Sequence, residues 1–286
     1  MTDFAPPPKT ELVVDIDATQ AKFFAENGYL ALGRVTTDEE LEWLRTVYDE
    51  LLAQPMSGFP DTYYDAVRPY GTRDAPILGQ LLFPEQRVPA IKQTNLWRNA
   101  RRIAQKLLQL PESEIEYWGH IVHKPARHGA ATPWHQDEAY WPPEHKYCAL
   151  GAWTPLDDVF VENGCMWFLP KSHLKPVVEH RHMNDDPAIA VLELIDQLDT
   201  SAAVPVPLPA GAISFHHPRT LHYAGPNTTG KPRRAWANEY QSAPILLDVP
   251  AHRPWVVEGR KEMAKGMLPP NASPNGSASG SASSSR

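Results

Sequence analysis

Apolar and polar positions in this 286-residue chain follow two rhythms, and the change falls near residue 113. Upstream the spacing is helical. Thr19 to Asn27 predicts a short helix stopped by Gly28, since glycine readily takes the left-handed conformation of a helix end. Tyr29 to Gly33 predicts a short strand. Thr37 and Glu40 predict a capping box, in which hydroxyl and carboxylate each satisfy a free amide. The helix behind it carries Leu41, Leu44, Val47, Tyr48, Leu51 and Leu52 on one apolar stripe. A second long helix is predicted from about Val88 to Leu110, burying Leu96, Ala100, Ile103, Leu107 and Leu108. Between the two helices, Pro55 to Pro76 reads as a long aromatic loop.

Downstream the period falls to two. Ile115, Tyr117, Gly119 and Ile121 alternate with Glu116, Trp118, His120 and Val122. Further strands are predicted at 133–140, 147–155, 164–169, 203–208, 211–217, 220–223 and 233–241. Residues 187–198 read as helical, and Asn163-Gly164 carries the signal of a tight hairpin. Helices first, then some eight short strands, predict an α+β protein with a double-sheet sandwich, of which the jelly roll is the common eight-stranded form.

Composition narrows the class. Size alone allows one large β-rich domain or two small ones. The net charge of −7 offers no basic stripe for nucleic acid. No apolar run approaches the length of a membrane span, and Met1 to Lys9 lacks a signal-peptide core. Cys148 and Cys165 form no CxxC pair and read as reduced core thiols, so a cytoplasmic setting is expected. Thirty prolines suit a chain of many turns. Residues 269–286, rich in Ser, Gly, Ala and Asn, predict a disordered tail.

The candidate chemistry lies in Trp134-His135-Gln136-Asp137. On an extended strand, His135 and Asp137 share a face about 6.5–7 Å apart, so one metal ion can take both. Such a pair also arises by chance. His222, 85 residues beyond Asp137, would complete a set of two imidazoles and one carboxylate. Such a set suits Fe(II) and leaves positions open for oxygen and a co-substrate. His216 and His217 are rivals for the third place, and Arg233 follows eleven residues after His222.

Three blocks resemble the phytanoyl-CoA dioxygenase family of Fe(II)/2-oxoglutarate oxygenases: 134–140, 162–173, and Gly211 through Gly225-Pro226-Asn227 to Arg233. The resemblance implies a single domain over 1–268. Helices from about 10 to 112 would pack on a double-stranded β-helix, or jelly roll, over about 113–245. It implies Fe(II) on His135, Asp137 and His222, with 2-oxoglutarate and O2 as co-substrates. Arg233 would hold the distal carboxylate of 2-oxoglutarate, for which its planar fork is suited. Trp153 and His120 are the nearest matches to two further residues that touch the co-substrate. Lys171 departs from the family's usual glycine, in a loop. Because Asp137 keeps the carboxylate place, halogenation is not expected.

The expected reaction is hydroxylation of a small molecule with release of succinate and CO2. Desaturation, cyclisation and epimerisation remain open, as do a metal enzyme without 2-oxoglutarate and a non-catalytic metal-binding module. Tyr140 and Trp141 follow the ligand pair, and Tyr63, Tyr64 and Trp97 of the helical part join them as candidate substrate walls. Other histidines, among them His180 and His182, read as surface or structural, the latter pair in an exposed loop.

Overall fold

The computed structural model describes residues 4, 6–54, 62–72 and 75–263. The predicted tail and parts of the 55–76 loop lie outside the described residues. The first half holds α1 (Ala18–Asn27), β1 (Tyr29–Arg34), α2 (Asp38–Ala53), β2 (Tyr63–Asp65), β3 (Gly79–Leu82), α3 (Pro84–Arg87) and α4 (Asn95–Leu108). Strands dominate the rest: β4 (Glu116–Lys124), β5 (Thr132–His135), β6 (His145–Lys146), β7 (Ala149–Pro155), β8 (Met166–Phe168), β9 (His180–His182) and β10 (Leu192–Leu194). There follow β11 (Val204–Val206), β12 (Ala212–His216), β13 (His222–Ala224), β14 (Arg233–Gln241), β15 (Ile245–Leu246) and α5 (Pro254–Met263). No described helix is long and apolar enough to cross a membrane.

Two antiparallel sheets face each other as a jelly roll. The larger has the order β1-β12-β7-β14-β4-β3-β2, the smaller β11-β8-β13-β5. One face of the large sheet presents Leu81, Ile121, Leu150, Phe215, Trp236 and Tyr240 to Leu44, Tyr48, Ala100 and Ile103 of α2 and α4. Between the sheets, Trp153, Met166, Phe168, Val206, Ala224 and Ala235 pack together. Strand alternation therefore gives the large sheet a helix-covered face and a face toward the sandwich interior.

Local signals are mostly honoured at helix ends. Gly28 takes φ 80° and closes α1, while Asp17 and Gln20 form its capping box. Thr37 caps α2 by accepting from the Glu40 amide. The Glu40 carboxylate does not return the bond. It is buried, accepts from the Thr36 hydroxyl at 2.6 Å, and accepts from the backbone amides of Asn95 and Leu96 at 2.6 and 2.9 Å. One helix thus supplies the anion that satisfies the positive end of another.

Four expectations need correction. The second long helix begins at Asn95, where the Thr94 hydroxyl accepts from the Trp97 amide. Upstream, α3 and a 3-10 turn at Pro89–Gln93 replace its first turns, because Pro89 opens a new segment. Residues 187–198 are not helical: β10 pairs with β9, and Ile189, Ala190 and Val191 are buried. Asn163-Gly164 does not join a hairpin, since β7 and β8 belong to different sheets. It ends a 3-10 turn at Val161–Asn163, with Gly164 at φ 89° against the Gly225 carbonyl. Finally, His180 and His182 lie buried on β9, held by backbone partners, and not in an exposed loop.

Candidate metal centre and its cavities

His135 ends β5 and His222 begins β13, and the ladder pairs them directly. Their rings therefore share a face, with centroids 4.1 Å apart. Asp137 is not on the strand as the spacing suggested. It starts a 3-10 turn, Asp137–Tyr140, which swings its carboxylate over both rings. Asp137 Oδ1 lies 3.5 Å from His135 Nε2 and 3.4 Å from His222 Nε2. One donor atom from each residue falls within 4.8 Å of the others, and this is the metal-capable cluster among the described residues.

The hydrogen bonds fix what these atoms are. His135 Nδ1 donates to the Pro133 carbonyl at 2.7 Å, and His222 Nδ1 donates to the Thr220 carbonyl at 2.9 Å. With Nδ1 carrying the proton, each Nε2 presents a lone pair. Burial, then the neighbouring His135, holds His222 well below the usual histidine range, so its ring is neutral. Two lone pairs and a carboxylate oxygen then face one another with no proton between them. A divalent cation resolves that conflict, and this donor set suits Fe(II). Burial alone would raise the Asp137 carboxyl. The surrounding imidazoles, His222 and His216 first, with the hydrogen bond from His216, outweigh it and hold Asp137 well below the usual carboxylate range.

His216, the expected rival ligand, has a different place. It arrives from β12 in the opposite sheet, and its Nε2 meets Asp137 Oδ2 at 2.8 Å. Oδ1 is left for the two Nε2 atoms. The His216 ring fits because its ladder partner is Gly151, where a Cβ would lie 2.6 Å from the imidazole. His217 lies outside the cluster, bonded through Nδ1 to the Arg219 amide. Glu138 anchors the turn: buried, it takes Arg219 at 2.6 and 3.0 Å and Arg253 at 2.6 Å.

Two cavities of about 560 and 570 Å³, measured out to open solvent, share a wall at the metal donors. Arg233 lies in the inner one and is 1% exposed. Its guanidinium sits over the Trp153 ring at 5.4 Å, and its Nε has no hydrogen-bond partner. Burial lowers it to about 10, so it stays cationic at neutral pH. No carboxylate among the described residues pairs with it within 4.0 Å. A buried, unpaired guanidinium is costly, and a carboxylate ligand would relieve it. His120 lies on the same wall, pushed down to about 4 by burial, with Nδ1 unpartnered.

Tyr140 and Trp141 line the outer cavity, with Tyr64, Trp118 and Gln80. Tyr140 also meets the His135 ring edge-on at 5.7 Å. Tyr63 and Trp97 do not line it. Tyr63 pairs with Leu81 on the helix-covered face, so its neighbour Tyr64 takes the cavity side. Trp97 packs from α4 onto Tyr117 in the same helix-to-sheet core. Sequence reasoning missed Gln80, Trp118 and Glu239. One signal was present for the last: the 233–241 strand puts Glu239 on the face of Arg233.

The fold and the site together define a 2-oxoglutarate-dependent oxygenase of the jelly-roll class, with two histidines and one carboxylate placed where they could hold an iron ion. Residues 24–235 match the family described as phytanoyl-CoA dioxygenase (PhyH), and the chain belongs to that family. EvdO2 from Micromonospora carbonacea var. aurantiaca is 39% identical, with a TM-score of 0.76 over 86% of this chain and 99% of that one. It has also been solved with 2-oxoglutarate, at 38% identity. SnoK, a non-heme alpha-ketoglutarate-dependent carbocyclase from nogalamycin biosynthesis, is 25% identical, with a TM-score of 0.64 over 81% of this chain and 86% of that one. A probable alpha-ketoglutarate-dependent hypophosphite dioxygenase from Stutzerimonas stutzeri is 34% identical over 119 residues, 40% of this chain and 41% of that protein. The chain thus matches well under half the length of that curated relative.

Proposed function

We propose that this protein oxidises a C–H bond of a small organic molecule, most simply by hydroxylation, with conversion of 2-oxoglutarate to succinate and CO2. One observation carries the reading: His135, Asp137 and His222 present three donor atoms within 4.8 Å in the cavity that also holds the unpaired Arg233. His135, Asp137 and His222 would hold Fe(II), which supplies, with 2-oxoglutarate and O2, the oxidising power for the C–H bond. Arg233 would take the distal carboxylate of 2-oxoglutarate, with Trp153 under its guanidinium and His120 on the facing wall. Tyr140 and Trp141 would enclose the substrate, joined by Tyr64 in place of Tyr63 and Trp97. Burial of this wall keeps bulk water from the reacting centre.

The carbocyclase relative makes ring closure a second outcome for the same site. Gain of one oxygen in the product, against loss of two hydrogens, separates the two by mass spectrometry. Of the two free cysteines only Cys165 is a core thiol, Cys148 being exposed; two unpaired thiols fit a cytoplasmic setting. The test begins without oxygen. Fe(II) and 2-oxoglutarate added to the apoprotein should give a weak visible charge-transfer band, and a compound screen in air should then release succinate. Asp137→Ala should lose the band, and Arg233→Ala should raise the 2-oxoglutarate concentration needed for it. An iron-loaded parent protein with no band and no turnover of 2-oxoglutarate refutes the reading.

A further inference from the structure

Glu239 has no part in the reading above, yet it occupies the wall the two cavities share. It is six residues beyond Arg233 on β14, roughly 20 Å along an extended strand, so it is not the co-substrate's anchor. Ala235 and Ala237 separate them on the same face and leave the space open. Glu239 is 7% exposed, and its Oε2 has no hydrogen-bond partner. Its ladder neighbours are Trp118 and Gly151, and the glycine has no side chain to answer it. A buried polar atom without a partner needs an explanation, and a ligand group is one. Gln80 lies on the same wall. Its Oε1 accepts from the Tyr64 hydroxyl at 2.9 Å, which leaves its amide N–H groups to donate elsewhere. The polar edge therefore combines an open carboxyl and an oriented amide beside aromatic faces.

We propose that Glu239 and Gln80 determine substrate specificity by hydrogen-bonding a hydroxyl group of a non-anionic, hydroxyl-bearing substrate laid against Trp118 and Tyr140. The proposal rests on the oxygenase reading and names the substrate class for that site. The described residues lining the outer cavity include no lysine or arginine, while Asp137 and Glu239 both face it. A phosphate, a phosphonate or a coenzyme A thioester would meet no cation there. A carboxyl has oxygens to accept from a hydroxyl, and a neighbouring amide can donate to the same group.

The experiment uses the protein loaded with Fe(II) and 2-oxoglutarate under anaerobic conditions, as parent, Glu239→Leu, Glu239→Gln and Gln80→Leu. The probes are methyl β-D-glucopyranoside, its deoxy analogues, cyclohexylammonium, methylphosphonate and octanoyl-CoA. Each is titrated while the charge-transfer band is followed. Hydroxylated probes should perturb the parent band, and at least one deoxy analogue should do so more weakly. Glu239→Leu and Gln80→Leu should weaken the response about ten-fold, one lost hydrogen bond each, while Glu239→Gln keeps it. All variants should take up 2-oxoglutarate as the parent does. Equal loss in Glu239→Gln and Glu239→Leu would show that a charge is required and overturn the proposal. So would an unchanged response in Glu239→Leu, loss of the band itself in that variant, or a parent band that answers only charged probes or none. A parent with no band at all points instead to failure of the oxygenase reading.

Discussion

At the scale of single residues, the Asp137 carboxylate is shared between two tasks. Oδ1 faces the two imidazoles, and Oδ2 is taken by His216. His216→Ala should therefore leave the three ligands in place but loosen the carboxylate. A loss of roughly 10–100-fold in Fe(II) affinity is expected, as for other residues that orient a ligand. Equilibrium dialysis checks it, and an unchanged affinity shows that the turn alone positions Asp137. Glu85 gives a pH prediction remote from the metal. It is buried with Oε2 unpartnered, and burial raises it from 4.5 to about 7. A raised acid favours folding fully below its unfolded pKa, near 4.5, and the contribution is lost as pH climbs through 7. Glu85→Gln should accordingly be more stable than the parent at pH 8, by about 1–3 kcal/mol, with the gap closing toward pH 4.5. Urea melts at the two pH values measure it.

At the scale of elements, α2 and α4 are linked through one side chain. Glu40 on α2 ends the free amides of Asn95 and Leu96, and the Asn95 side-chain amide donates to it at 3.1 Å. Glu40→Ala would leave these donors buried without a partner and α4 without its anion. A loss of about 2–4 kcal/mol is expected in chemical denaturation. Glu40→Gln, which keeps the acceptor oxygen, should lose less. The start of α2 was legible from its cap, because a hydroxyl reaches only its own first turn. The destination of the Glu40 carboxylate was not, because Asn95 is 55 residues away. Strand β14 was read from 233 to 241 and is found there, since a central strand paired on both sides keeps its alternation along its length. Residues 187–198 misled because buried apolar residues next to a short edge pairing mimic one helical turn.

At the scale of the whole molecule, the site exists only when both sheets close on it. β5 and β13 bring the rings of His135 and His222, β12 brings His216, and β14 brings Arg233 and Glu239. Anything that binds this closed state must stabilise it. Fe(II) with 2-oxoglutarate at about 100 times its dissociation constant should add roughly 2.7 kcal/mol. Differential scanning calorimetry should show the midpoint rising with 2-oxoglutarate when metal is present and much less without it. In Arg233→Ala the increment from 2-oxoglutarate should largely vanish. A rise of equal size in that variant would remove Arg233 from the co-substrate site.

Short-range pattern determined the class of this protein: helices followed by alternating strands, a histidine and an aspartate two residues apart, and a later histidine with an arginine one strand beyond. Those features depend on neighbours along the chain, so they can be read along the chain. Tertiary structure decided the rest. It chose Tyr64 over Tyr63 for the cavity, because pairing with β3 sets which face each residue takes. It placed His216 behind Asp137 and His222 beside it, because each comes from a different sheet. It gave Glu239 an unanswered carboxyl, because the strands that flank it offer a tryptophan and a glycine. Burial and partnership are properties of residues distant in sequence, and only the folded chain brings those residues together.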